Sequence, residues 1–198
     1  MNGAEPGFGG ESGGPFGSKR GLMSREPYVL EMVQEVPRAL AEVFPFFAAP
    51  ENLEAITPPW LRFRILTPSP IPMREGALID YRISLRGIPL RWRTRIDAYE
   101  PPRMFIDRQI RGPYLLWEHT HLFEEVADGR GVRTRMTDRV RYMPLDIPRS
   151  VPLLGGLVHR LFVRGELERI FSYRRRKLEE LLLRKPGAEQ SAAAAGKS

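Results

Sequence analysis

Trp117-Glu118-His119-Thr120-His121-Leu122-Phe123 is the stretch on which the fold turns. In an extended strand successive side chains alternate between faces. Trp117, His119, His121 and Phe123 therefore point one way, and Glu118, Thr120 and Leu122 the other. An aromatic strand face is ordinary core. Two imidazoles on that face are less ordinary, because their ring nitrogens need partners once buried. The stretch predicts an interior that keeps polar groups at a cavity or a site.

The same alternation spreads outward in both directions. Leu78 to Arg86 sets Ile79, Tyr81, Ile83 and Leu85 against Asp80, Arg82, Ser84 and Arg86, and Gly87-Ile88-Pro89 reads as a turn. Leu90 to Tyr99 sets Trp92, Thr94, Ile96 and Ala98 against Arg91, Arg93, Arg95 and Asp97. Asp128-Gly129 signals a hairpin into Val132 to Met143, with Thr134, Met136, Asp138, Val140 and Tyr142 on one face. Met104 to Arg111 is a strand of open parity: either Phe105, Asp107 and Gln109 face inward, or Met104, Ile106, Arg108 and Ile110 do. Leu61 to Leu66 reads as a further strand, and Tyr28 to Val36 as the first.

Helical signals lie at the two ends of this run. Pro37 suits the first position of a helix over Arg38 to Ala48, and Pro50 to Ile56 is a second short helix. After Pro144, Pro148 and Pro152, an amphipathic helix runs from about Leu154 to Leu183, carrying Leu157, Leu161, Ile170, Phe171 and Leu178. Roughly 30 residues at 1.5 Å each make it about 45 Å long, enough to cross a whole sheet. The expected fold is α+β: a curved antiparallel sheet of about seven strands wrapped around one long C-terminal helix, with a ligand-sized space between them.

Composition narrows the function classes. The 198 residues include no cysteine, which removes thiolate metal sites and a cysteine nucleophile and fits a cytoplasmic setting. No apolar run reaches the roughly 20 residues of a membrane-spanning helix. The formal charge of +7 comes almost wholly from scattered arginines. Arg91, Arg93, Arg95, Arg133, Arg135, Arg139 and Arg141 read as a solvated outer face, and otherwise as a surface for peripheral contact with anionic lipid. Arg174-Arg175-Arg176-Lys177 reads as the wet side of the long helix. It lacks the aromatic interleaving of single-strand nucleic-acid binders, so no nucleic-acid partner is expected. Residues 1–26 and 185–198, rich in Gly, Pro, Ser or Ala, read as disordered tails around one domain over 27–184. No signal in the chain specifies an oligomeric state.

In element order, and in the stretches Pro50-Glu51-Asn52-Leu53-Glu54-Ala55-Ile56-Thr57-Pro58-Pro59-Trp60 and Gly87-Ile88-Pro89-Leu90-Arg91-Trp92, the chain resembles the START/Bet v 1-like superfamily. Arg111-Gly112-Pro113-Tyr114 and Trp117 to His121 add to the likeness, in particular to its polyketide cyclase/dehydrase-like and coenzyme Q-binding bacterial branches. The resemblance implies a helix-grip fold and a hydrophobic-ligand cavity (lipid, quinone or polyketide-like). No catalytic signature transfers with it.

The residues expected at such a cavity are Tyr81, Trp92, Thr94, Trp117, His119, His121, Phe123, Asp138, Tyr142 and Leu161. Buried polar members of this set must pair with one another. An Asp138–His pair would raise the histidine pKa and depress that of the carboxylate. The alternative is an enzyme, a cyclase or aromatase with His119 or His121 moving protons. His-x-His on a strand is also a metal-ligand spacing. The third histidine, His159, falls in the C-terminal helix, and two histidines with Asp138 lack support, so neither metal nor cofactor is expected.

Overall fold

The computed structural model describes residues 26–129, 131–144 and 163–183. Both tails, the Pro-rich connection and the stretch where the long helix was expected to begin, with Leu154, Leu157, His159 and Leu161, lie outside the described residues. The described strands are β1 (Tyr28–Val36), β2 (Arg64–Ile65), β3 (Leu78–Leu85), β4 (Ile88–Glu100), β5 (Met104–Arg111), β6 (Tyr114–Asp128) and β7 (Gly131–Pro144). They form one antiparallel sheet in the order β1-β7-β6-β5-β4-β3-β2. Two short helices, α1 (Leu40–Phe47) and α2 (Leu53–Ile56), follow the first strand, and α3 (Arg164–Leu183) closes the described chain. This is the expected helix-grip α+β architecture.

Local chemistry moved several boundaries. The helix expected from Arg38 begins at Leu40. Pro37 lies in a bend ahead of it, and the Glu125 carboxylate on β6 accepts the Leu40 N–H at 3.1 Å. That carboxylate satisfies one of the orphan donors of the first turn and complements its dipole, so a tertiary contact starts α1. The strand expected over Leu61 to Leu66 shrinks to Arg64–Ile65, because Pro59–Leu61 winds into a 3-10 turn that ends with Arg62 left-handed at φ 44°. The β3–β4 turn consists of Arg86 and Gly87, both at positive φ (51° and 85°), and Leu85 already pairs with Ile88. Two residues at positive φ make the tight hairpin whose twist matches its strands, so Ile88 and Pro89 join β4. Register shifts between β4 and β5 let Tyr99, rather than Ala98, pack on the core beside Phe44. Such bulges bend a strand and switch the face its next residues serve.

The core lies on one side of the sheet. Phe44 and Phe47 of α1 pack against Phe105 and Phe123, and Leu178 of α3 joins them. Leu167 and Phe171 of α3 press on Val140 and Tyr142 of β7. Polar ties then set the seating of α3. The Gln34 side chain donates to the Arg175 carbonyl at 3.1 Å, and Arg38 donates to the Leu182 carbonyl at 2.8 Å. Near the start of the helix, the Trp60 indole donates to Glu166 at 3.1 Å while Arg169 lies over its ring. Helix and sheet are thereby held along the length of α3, and a space is left between them.

Candidate functional site

A cavity of about 190 Å³ fills that space, walled mostly by apolar and aromatic side chains of the sheet, α2 and α3. Strand alternation brings Tyr81, Trp92, Thr94, Trp117, His119 and His121 to its wall, as their parity requires. Three other expected residues sit behind it. Phe123 packs among Phe44, Phe47 and Phe105. Tyr142 is buried against Leu167 and Phe171, and Asp138 reaches the cavity only through the histidines. The structure adds Asp107, Tyr114, Phe171 and Arg174, which sequence reasoning left out. For Asp107 the signal existed as one of two open parities, and Phe105, buried beside it, settles it.

Two polar groupings face the cavity. In the first, the Tyr81 hydroxyl and the Trp92 indole N–H both meet Thr94 Oγ1 at 3.1 Å, and Thr94 is buried. Burial pushes the Tyr81 phenol well up, so it stays protonated. The second is a ring of four titratable side chains. In strand register Asp107 stands opposite His119, and Asp138 opposite His121. The hydrogen bonds run diagonally instead: His119 Nε2 meets Asp138 Oδ1 at 3.0 Å, and His121 Nε2 meets Asp107 Oδ2 at 3.0 Å. His121 Nδ1 lies 2.8 Å from Asp138 Oδ1 but off the direction a hydrogen bond needs, so it has no hydrogen-bond partner. The imidazoles sit within a column of rings, tilted by 39° to each other. The two histidine rings lie 3.8 Å apart, Phe105 covers His121 at 4.2 Å, and the Phe171 ring stands edge-on to His119 at 5.5 Å.

The histidines hold protons differently. Burial, helped by the neighbouring His121, keeps His119 below the ordinary histidine value. Burial acts the same way on His121, but Asp107 and Asp138 outweigh it and hold His121 above that value. Both carboxyls stay ionised despite burial: Asp107 through His121 and His119, Asp138 through Arg174 and its histidine contacts. Within the ring His121 is thus the more basic imidazole and His119 the less basic, with two carboxylates and the Arg174 guanidinium beside them.

Arg174 corrects the sequence reading most sharply. Expected on the wet side of the helix, it lines the cavity above the Phe47 ring, and its Nε is buried without a hydrogen-bond partner among the described residues. On the outer face of the sheet, by contrast, the arginines meet carboxylates. Arg93 pairs with Asp80, Arg95 with Asp97, Arg135 with Glu35 and Arg141 with Glu118.

No family model matches the chain, and no curated protein matches it in sequence. Solved structures do match in shape. The ZhuI aromatase/cyclase from a Streptomyces species aligns with a TM-score of 0.61 at 17% identity, over 86% of this chain and 99% of that one. The protein TTHA0849 from Thermus thermophilus aligns at 0.53 and 21% identity, over 79% and 97%. The major latex-like protein 151 from Panax ginseng aligns at 0.52 and 11% identity, over 79% and 99%. The chain shares the helix-grip fold of these proteins.

Proposed function

We propose that the protein binds a hydrophobic small molecule of the lipid, quinone or polyketide-like class in the cavity between sheet and α3. The observation that supports this is the cavity itself: Trp92, Trp117, Phe105 and Phe171 supply apolar wall, while His119, His121, Asp107 and Arg174 gather on its surface. An apolar body buried against the aromatics gains about 25 cal/mol per Å² removed from water. Its single polar end would lie against the His–Asp ring. Because Trp92 and Trp117 line the cavity, occupancy should change tryptophan emission. The test is native mass spectrometry of protein taken from cells, followed by emission titrations with a naphthoquinone, a fatty acid and a polyphenol. Saturable quenching by one class supports the reading. Clean apo protein that responds to none removes it.

A second reading has one observation in its favour, two buried imidazoles 3.8 Å apart whose basicities are pushed in opposite directions, His119 down and His121 up. His119 as base and His121 as acid would suit a cyclase or aromatase acting on a poly-β-keto chain, where one carbon acid must lose a proton as a carbonyl oxygen gains one. His119→Ala and His121→Ala should then abolish turnover and leave ligand affinity largely intact. Turnover unchanged by both substitutions excludes this reading and leaves the binding one standing.

A further inference from the structure

We propose that Asp107, His119 and His121 bind one divalent transition-metal ion, with Asp138 orienting a ligating imidazole and the open coordination positions turned toward the cavity. The three side chains offer donor atoms that all lie within 4.8 Å of one another. Asp107 Oδ2 stands 3.0 Å from His121 Nε2 and 3.7 Å from His119 Nδ1. Metal–ligand bonds of about 2.0–2.1 Å in a tetrahedron set neighbouring donors about 3.3 Å apart, so these spacings bracket the value an ion requires. Two imidazoles and a carboxylate are also the number and kind of ligands that leave coordination positions open for an outside molecule.

Rigidity favours the same reading. Both histidines come from one strand at i and i+2, and Asp107 comes from the hydrogen-bonded neighbour, so the donors sit on sheet backbone and not on a loop. Phe105 and Phe171 hold the imidazole rings in place. His121 Nδ1 is buried and lacks a hydrogen bond although Asp138 is 2.8 Å away. A small turn of that ring about an ion at Nε2 would align Nδ1–H with Asp138. That is the carboxylate–imidazole–metal arrangement by which outer groups orient ligating histidines. The ion would replace the proton now shared by His121 and Asp107.

Charge defines what the open positions would accept. Two carboxylates balance a divalent ion, and the Arg174 guanidinium in the same cavity leaves a net positive charge facing the interior. An anionic oxygen, such as a carboxylate or enolate, fits that position. Imidazole with carboxylate suits zinc, iron(II), cobalt or nickel, and does not suit calcium or magnesium. The inference stands apart from the identity of any apolar ligand, since it concerns the metal alone.

The test uses untagged full-length protein, stripped with chelator and titrated with Co²⁺ by visible absorption and with Zn²⁺ by calorimetry. One equivalent of Co²⁺ per chain, with ligand-field bands that Zn²⁺ abolishes, is the expected result. Asp107→Asn and His121→Ala should each weaken binding about tenfold or more, Asp138→Asn by about tenfold to a hundredfold, and His159→Ala not at all. Far-UV circular dichroism identifies any variant that fails to fold. For those, the comparison is between the wild type and His159→Ala, in both of which Zn²⁺ should raise the unfolding temperature equally, and no rise in the wild type counts against the site. No saturable binding by the wild type, or binding lost in His159→Ala but kept in Asp107→Asn, would leave a hydrogen-bonded network only and overturn the proposal.

Discussion

The two faces of the sheet carry the same kind of contact with opposite consequences. On the outer face Arg93 meets Asp80 through two bonds of 2.7 and 2.8 Å, with the side chains 44% and 38% exposed. On the inner face His121 meets Asp107 at 3.0 Å with exposures of 4% and 17%. The outer pair is geometrically the better one. Water and salt nonetheless screen it, so either partner can be lost and the other resolvated. The inner groups have no such recourse, because a buried ion without its partner is left in a medium that cannot solvate it. Distance therefore ranks these pairs wrongly, and burial ranks them correctly.

The largest difference between the faces is expected at Asp138. Asp138→Asn removes the buried carboxylate that meets His119 at 3.0 Å and His121 at 2.8 Å, and urea unfolding should show a loss of about 3–5 kcal/mol, the range for a buried pair broken on one side. Asp80→Asn, by the same assay, should barely move stability, and what it moves should fade in high salt. Equal effects at the two positions would end the distinction between the faces.

Thr94 tests the inner face without any charge. Its hydroxyl meets both the Tyr81 hydroxyl and the Trp92 indole. Thr94→Val keeps the shape and orphans those groups, so a loss of about 1–3 kcal/mol is expected, the desolvation cost of unsatisfied buried donors. Thr137, on the opposite face of β7, should tolerate the same substitution. Equal losses at the two threonines would mean that backbone effects dominate.

A pH series refines the Asp138 result. Burial opposes ionisation of Asp138, but Arg174 and the histidine contacts hold its folded pKa well below the ordinary 3.8. A carboxyl depressed in the folded state contributes stability that is fully present above the unfolded value and is lost as pH falls through the folded one. Measured with chelator present, the gap between wild type and Asp138→Asn should persist through the neutral range and close only below pH 3.8. A gap that instead shrinks as pH rises through the neutral range would assign the effect to the charge on His121, which is lost in that direction.

Which parts of this were legible in the chain follows from what each depends on. Trp117, His119 and His121 face inward because alternation is a property of extended backbone, and a reader needs only the residues themselves. Asp107 was ambiguous because Met104, Ile106 and Ile110 give the opposite parity an apolar look as well. Arg174 was misassigned because three arginines and a lysine in a row read as solvated surface, whereas a helix turns consecutive side chains about 100° apart and one of them faces the cavity. Tyr99 was displaced by a register shift that no local pattern announces.

Periods of 2 and 3.6 are written into consecutive residues, so the sheet, its sidedness and the helix that covers it follow from the chain read alone. The closed ring of Asp107, His119, His121 and Asp138, with Arg174 beside it, came only with the assembled fold. Those residues come from three strands and a helix. Their meeting depends on strand register and helix seating, and both are settled by contacts between segments far apart in the chain. No periodicity within any one segment records them.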